Sequence, residues 1–199
     1  DYCSKAYLKE KNEEAYRNLF IIHYPDEERP AARPLKTSPC YERLQKMGAV
    51  FGSSFGLERA NWFAPEGVKQ VDDWSFRRSK YFTHVGNEAK NVSKNVGILD
   101  LSGFAKCKIS GNNAEDFLNS FVANKLPNKV GSIKLCHSLT SKGGVHSEFT
   151  ITKEDKNLYY IISAGAFTRL DHDWILKSSQ SFENINFQDF TNALGVFVI

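Results

Sequence analysis

The strand that follows a Gly-Gly pair holds the residue types in this sequence that could do chemistry. Side chains alternate between the two faces of a β-strand, and after Gly143-Gly144 this alternation separates an apolar set from a polar set. The first set is Val145, Ser147, Phe149 and Ile151, and the second is His146, Glu148 and Thr150. In the plainer interpretation, the first set faces a core and the second faces solvent. If another domain covers the polar face, Glu148 becomes a carboxylate in a closed pocket, with His146 on the same face, and can transfer a proton or hold a polar ligand.

The rest of the sequence contains no general catalytic motif. It has no GxSxG, HExxH, P-loop or GxGxxG pattern, so hydrolase, zinc-protease and nucleotide-binding functions gain no support. The histidines and cysteines are scattered without the spacing of a metal site, which predicts that no metal is bound. They are His23, His84, His137, His146 and His172, with Cys3, Cys40, Cys107 and Cys136. The cysteines are expected to be small hydrophobic residues in a reduced interior.

The segments around the Gly-Gly strand predict an α+β fold in which helices pack on antiparallel sheets. Residues 105–110 alternate as in a half-buried strand, with Lys106 on the polar face. A helix carrying Phe117 and Phe121 follows, and three further strands lead to a second helix that carries Trp174. These strands are expected at 133–139, 146–152 and 158–163. The order of elements fits a split βαβ, or ferredoxin-like, arrangement.

Composition and charge exclude several classes of protein. The chain has 199 residues, 41% of them hydrophobic and 25% charged, which is typical of a globular protein and not of a disordered one. No apolar run approaches the roughly 18 residues that span a bilayer, so a membrane is not expected as a partner. The net charge of +3 is too small to indicate nucleic acid binding. The sequence stops in the apolar run 195–199, which we expect of an internal piece of a larger protein.

Residues 24–63 contain blocks that resemble a known family. These blocks are YPDEERP at 24–30, RPLKTSP at 33–39, YERL at 41–44, GAVFG at 48–52 and GLERANWF at 56–63. They resemble the segment that joins the flavin half to the folate half in dimethylglycine and sarcosine dehydrogenases. The residues that follow resemble the start of the folate-binding half, which is itself similar to the T-protein aminomethyltransferase of glycine cleavage. The matching landmarks there are VGILDLS at 96–102, KGGV at 142–145 and the helix at 171–174.

This resemblance implies that the chain is a fragment of a larger protein and contains parts of two domains. Residues 1–75 are expected to be the end of the central linker domain of the oxidoreductase half. Residues 76–199 are expected to be the N-terminal part of the aminomethyltransferase-like, folate-binding domain. The boundary falls within 52–79, which is rich in glycine and aromatic residues, lacks periodicity and is expected to be a long packed connection.

The resemblance also implies roles for individual residues. T-proteins have a G-G-hydrophobic-x-D-D strand whose second Asp contacts the folate, and Glu148 occupies that position here, with Ser147 at the first. Glu148 is therefore the expected catalytic residue, which holds the folate amine and manages its proton. The other expected folate-contacting residues are Phe104, Thr150, Ile161 and Ser163. Leu135 stands where T-proteins tend to have a Tyr, and Ser163 replaces an Asn.

The function that the resemblance implies is that of a flavin-dependent dehydrogenase which demethylates dimethylglycine or sarcosine. FAD is expected to bind outside this chain, while this chain is expected to bind tetrahydrofolate and accept the one-carbon unit as methylene-tetrahydrofolate. The expected partners are the N-methylated amino acid, folate and a further copy of the larger protein, in a bacterial cytoplasm or a mitochondrial matrix. Two alternatives stay open: a free-standing aminomethyltransferase that takes its one-carbon unit from a lipoyl carrier protein, and a folate-fold module without catalysis.

Overall fold

The computed structural model describes residues 4–199, which belong to two compact units. The first unit comprises the chain up to Asp100 together with Phe197–Ile199, and the second comprises Leu101–Val196. The helices are α1 (Lys5–Arg17), α2 (Tyr41–Lys46), α3 (Phe82–Lys94), α4 (Ala114–Phe121) and α5 (Thr168–Ser179). The strands are β1 (Ala49–Ser54), β2 (Leu57–Phe63), β3 (Leu99–Asp100), β4 (Ala105–Ser110), β5 (Ile133–Leu139), β6 (Val145–Asp155), β7 (Leu158–Ser163), β8 (Asn186–Asp189) and β9 (Phe197–Val198). In this described part of the chain, no helix has both the length and the apolar character needed to cross a bilayer.

The first unit contains a β1–β2 hairpin. Phe55 and Gly56 take positive φ in the turn between the two antiparallel strands, as a two-residue hairpin turn requires. Trp62 is buried on β2, and its Nε1 donates a hydrogen bond of 2.8 Å to Asp72 Oδ1. The prediction of an irregular connection over 52–79 was therefore wrong at its start. A bulge at Asn61 interrupts the alternation of β2, which hides the strand in the sequence.

The second unit is built on a five-stranded antiparallel sheet in the order β5-β6-β7-β4-β8. Both β4 and β6 pair antiparallel with β7, so they run parallel to each other with β7 between them. Helix α4 lies in the connection from β4 to the β5–β6 hairpin, and α5 lies in the connection from β7 to β8. This is the predicted split βαβ arrangement with β5 added at one edge, so the predicted α+β fold is confirmed.

Helices α4 and α5 pack on the same face of this sheet. Phe117, Leu118 and Phe121 of α4 and Ile175 of α5 belong to one buried cluster. The sheet residues of that cluster are Cys107, Ile109, Cys136, Phe149, Ile151, Tyr159 and Ile161. The alternate side chains define the opposite face, which we call the open face: Leu135, His137, Glu148, Thr150, Tyr160 and Ile162. Burial raises the pKa of the Cys107 thiol to about 12, so this cysteine is a protonated, small hydrophobic residue at neutral pH.

Lys106 keeps its place in the alternation of β4, opposite Ile162 of the open face, but it is not exposed there. The sequence places it on the polar face of a half-buried strand, yet its side chain is fully buried. Its Nζ donates hydrogen bonds of 2.8 Å to the backbone carbonyl oxygens of Ser102 and Phe104. A buried ammonium group is tolerated where such bonds replace water. Alternation could not show this burial, because the two carbonyl groups come from the turn that precedes the strand.

A hydrogen-bonded network ties α4 to the sheet and predicts a pH dependence of stability. Lys153 Nζ and Tyr159 Oη donate to Glu115 Oε2 at 2.9 and 2.8 Å, and these two bonds lower the pKa of Glu115. A carboxyl whose folded pKa is depressed stabilises the fold above its unfolded pKa, which is about 4.3 for glutamate, and this contribution is lost as the pH falls through the folded pKa. We expect Glu115→Gln to lower the unfolding free energy by about 0.5–1 kcal/mol at pH 7, since Glu115 is half-exposed.

The measurement is urea unfolding of both chains between pH 7 and pH 2.5. The difference between the wild-type and variant chains should shrink to near zero at the acid end of this range. Glu183→Gln, an exposed carboxylate outside the network, should show no such pH-dependent difference. A difference for Glu115→Gln that stays constant with pH would contradict the prediction.

Candidate functional site

A carboxylate and an imidazole meet on the open face of the second unit's sheet. The β5–β6 register places His137 directly opposite Glu148, and His137 Nε2 lies 3.0 Å from Glu148 Oε2. The His137 backbone N–H donates to Asn124 Oδ1, which fixes this part of β5. In the sequence, His137 was one of five scattered histidines. The pairing of His137 with Glu148 depends on the register of two strands, which neither strand shows alone.

Thr150 lies on the same face as Glu148, two residues further along β6. The residues directly opposite Thr150 are Leu135 on β5 and Ile162 on β7. Leu135 is 53% exposed, so an apolar surface lies beside the polar pair. A ligand that is partly apolar and donates hydrogen bonds to a carboxylate suits such a surface.

Ile161 and Ser163 lie on the other face of the sheet. Along β7 they alternate with Ile162, and both side chains are buried, with Ile161 inside the hydrophobic cluster beneath the helices. The structure therefore does not bring their side chains together with those of Glu148 and Thr150. Contact of Ile161 and Ser163 with folate stays a prediction. A ligand on the open face would not touch these two side chains, because they point to the opposite face of the sheet.

Phe104 lies in the turn before β4, where its side chain is 38% exposed. Its backbone carbonyl accepts the hydrogen bond from Lys106, which holds the turn in place. In the strand register, Lys106 is opposite Ile162, and Ile162 is opposite Thr150. The turn that carries Phe104 therefore leads directly into the row of residues that contains Thr150.

Glu148 is more exposed than a carboxylate in a closed pocket. Its side chain is 60% exposed, so residues 4–199 do not enclose it. Phe149 and Ile151 are buried as the alternation predicted, whereas Val145 is exposed. The β5–β6 register shifts immediately after Val145, which separates this residue from the regular alternation of the strand.

The open face can bind a hydrogen-bond donor and share its proton. The Glu148 carboxylate accepts hydrogen bonds, and the His137 imidazole can donate or accept a proton through Nε2. Within residues 4–199, no group of three or more His, Cys, Asp or Glu side chains is arranged to hold a metal ion.

Comparison with protein families decides the affiliation of the chain. The family model described as "GCVT N-terminal domain" matches residues 40–199, and the model described as "FAD dependent oxidoreductase central domain" matches residues 2–38. The chain belongs to the GCVT N-terminal domain family. The resemblance noted in its sequence is thereby confirmed. The boundary near residue 75 stays a prediction.

Two curated relatives and one solved structure extend this GCVT-family assignment. Human "Dimethylglycine dehydrogenase, mitochondrial" is 34% identical over 200 residues, covering 98% of this chain and 23% of the human protein. "4-methylaminobutanoate oxidase (formaldehyde-forming)" of Paenarthrobacter nicotinovorans is 27% identical over 160 residues, covering 80% of this chain and 19% of that protein. The chain thus spans about a fifth of the length of these relatives.

The solved structure is that of glycine cleavage system aminomethyltransferase T from Bartonella henselae. It aligns with 78% of this chain and 38% of its own chain, with a TM-score of 0.62 and 18% sequence identity. At this identity the likeness shows a shared fold. It confirms the predicted T-protein-like fold class of the GCVT-family chain.

Proposed function

We propose that this GCVT-family chain is part of a flavin-dependent dehydrogenase which demethylates dimethylglycine or sarcosine. In this proposal the open face of the five-stranded sheet binds tetrahydrofolate. The observation that carries the proposal is the Glu148–His137 pair, which lies on that face beside exposed Leu135. The match of residues 2–38 to an oxidoreductase central domain favours a dehydrogenase over a free-standing aminomethyltransferase.

Glu148 and His137 supply the proton chemistry of this proposal. When bound, FAD would supply removal of a hydride from the N-methyl group, and tetrahydrofolate would supply the nitrogens that accept the one-carbon unit, with their two N–H protons leaving with the amine product. The Glu148 carboxylate holds a folate N–H by accepting its hydrogen bond and receives the proton as the nitrogen becomes a nucleophile. His137 Nε2, at 3.0 Å, shares this proton with Glu148 and keeps the carboxylate oriented. Leu135, Ile162 and Thr150 contact the flat part of the ligand, and Phe104 lies at the end of this surface.

The proposed setting follows from the same relatives. FAD is assigned to the part of the dehydrogenase that lies outside these residues, and the N-methylated amino acid is bound there as well. The protein is proposed to act in a mitochondrial matrix or a bacterial cytoplasm, since its relatives include a mitochondrial enzyme and a bacterial one. Self-association of the full-length protein is part of the proposal.

The test is the Glu148→Gln substitution in the full-length protein that contains this chain. We expect folate-dependent product formation to fall by about 100-fold, because general acid–base groups typically contribute that much or more. Anaerobic reduction of the flavin by dimethylglycine or sarcosine should stay within about twofold of wild type, since Glu148 has no part in hydride transfer. Product is measured as methylene-tetrahydrofolate, and flavin reduction by the loss of visible absorbance.

The control is Glu154→Gln, which changes another glutamate on β6 that pairs with Lys108. It should leave both activities near the wild-type rates. Equal loss of both activities in Glu148→Gln, with unchanged thermal stability, would contradict the division of roles. A full-length protein without flavin absorbance would overturn the proposal of a dehydrogenase. The two remaining functions would then be a free-standing aminomethyltransferase and a folate-fold module without catalysis.

A further inference from the structure

A bulge in β6 turns His146 away from the alternation of its strand. Ser138 pairs with Ser147, whereas the next residue of β5, Leu139, pairs with Val145, so His146 is the extra residue between them. Bulges often redirect a side chain in this way. The His146 ring stacks on the Trp174 ring of α5, with centroids 4.3 Å apart and planes at 13°. His146 is therefore not beside Glu148, as the sequence suggested, but beside the helix that packs on the opposite face.

A short chain of hydrogen bonds holds the His146 ring in its plane. His146 Nδ1 lies 2.8 Å from Ser147 Oγ, and Ser147 Oγ lies 2.6 Å from Asp171 Oδ1. Ser147 and Asp171 are 9% and 2% exposed, so this part of the chain of bonds is shielded from water. His146 itself is partly exposed.

The positions of the protons along the hydrogen bonds from His146 through Ser147 to Asp171 follow from counting the donor groups. When Asp171 is ionised it can only accept, so the proton in the bond to Asp171 comes from the Ser147 hydroxyl. Ser147 has no second proton to donate, so the bond to His146 needs a proton on Nδ1. A neutral imidazole carries one N–H, which leaves Nε2 with a lone pair.

We propose that Asp171 and Ser147 are positioning residues that hold His146 in the Nδ1–H tautomer and present its Nε2 as a proton acceptor. Among the described residues, none is bonded to this Nε2. Stacking on Trp174 fixes the plane of the His146 ring, so the lone pair of Nε2 points in one direction. The chemistry that fits this acceptor is a ligand hydroxyl or amine that donates a hydrogen bond. This inference does not depend on the proposed folate site, which lies on the other face of the sheet.

The test is NMR of the chain labelled with ¹⁵N in its five histidines, at a pH of about 8, where an ordinary histidine is neutral. His146→Gln assigns the two ring nitrogens of His146 by removing their signals. We expect a protonated-type ¹⁵N shift at Nδ1 and an unprotonated-type shift at Nε2. The reverse pattern would overturn the proposal, because Asp171 would then be the protonated partner. Only His146→Gln has to fold for this assignment, and Ser147 and Asp171 are unchanged in both chains.

Two variants of Ser147 test whether its hydroxyl sets the tautomer of His146 or whether its side chain only fills space. Ser147→Thr keeps the hydroxyl and should keep the Nδ1–H pattern, whereas Ser147→Ala removes it and should shift His146 toward the Nε2–H form. Diethyl pyrocarbonate, which acylates an unprotonated ring nitrogen, should label His146 in the wild-type chain and label it several-fold more slowly in Ser147→Ala. A wild-type His146 that resists the reagent would overturn the claim that Nε2 is an available acceptor. Equal labelling in both chains would overturn the claim that Ser147 sets the tautomer of His146.

Discussion

Phe117→Ala is expected to destabilise the second unit by about 3–5 kcal/mol, the usual cost of truncating a buried phenylalanine. Phe117 is fully buried on α4, where its ring centroid lies 5.3 Å from that of Phe121 and 5.5 Å from that of Phe182. Because these rings come from α4 and from the segment before β8, the cavity cannot close by moving one side chain. A loss of this size is a large part of the roughly 5–15 kcal/mol that stabilises a typical domain.

Hydrogen exchange of the backbone amides in β4 and β7, measured by mass spectrometry, reports the stability of this unit separately. The protection of these amides should fall by an amount that corresponds to the same free energy. Phe167→Ala is the matched control, since Phe167 belongs to the same unit but is 56% exposed. Its cost should stay below about 1 kcal/mol. Similar losses in the two variants would show that α4 does not depend on the packing of Phe117.

Glu58→Gln is expected to destabilise the first unit by about 1.5–3 kcal/mol, because it removes the carboxylate bonded to a largely buried guanidinium and leaves Arg33 only one carboxylate contact, the longer one of Nη1 with Glu28, at 3.8 Å. Arg33 Nε and Nη2 donate to the two oxygens of Glu58 at 2.9 and 2.7 Å, and Nη2 also donates to the Phe51 carbonyl at 2.8 Å. The side chains of Arg33 and Glu58 are 15% and 3% exposed. The hydrogen bond to Glu58 raises the pKa of Arg33, as expected of an ionised pair.

Exchange of the amides within Ala49–Phe63 measures this effect on the hairpin. Glu13→Gln, which removes the exposed partner of Lys9 in α1, should cost no more than about 0.5 kcal/mol. The double variant Arg33→Met with Glu58→Leu should be more stable than Glu58→Gln alone, because it removes the guanidinium together with Glu58. Glu28 is partly exposed and keeps the hydrogen bond from the Ser53 backbone N–H. A double variant as unstable as the single one would show that side-chain volume, and not the loss of the ion pair with Glu58, sets the cost.

The sheet of the second unit was predictable because its strands obey a period of two. Cys107 and Ile109 alternate with polar neighbours on β4, and Phe149 and Ile151 do the same on β6. Each of these strands can therefore be recognised from its own sequence. The β1–β2 hairpin was missed for the opposite reason. The bulge at Asn61 removes the alternation of β2 on which the interpretation depends.

The Gly-Gly strand and the family resemblance both direct attention to Glu148, whose role in folate binding stays a prediction. The side chains that lie beside Glu148 could not be foreseen. That His137 pairs with it, and that His146 does not, follows from the register between β5 and β6, which is a property of two strands that neither sequence segment shows alone. Likewise, matching Ile161 and Ser163 to family positions gave no information on which face of β7 they occupy.

The position of β4 between β7 and β8 has a consequence for the time at which the second unit can fold. Ile109 of β4 pairs with Tyr159 on one side and with Phe187 on the other, and both partners are synthesised later. At about 5–20 residues per second, the ribosome finishes β7 several seconds after β4, and β8 later still. Until then β4 can be covered by α4 but has neither neighbour, and closing these long loops is slow even once they exist. The unit therefore completes its sheet only near the end of its own synthesis, and until then β4, an internal strand of the finished sheet, has two unpaired edges that are open to pairing with another chain.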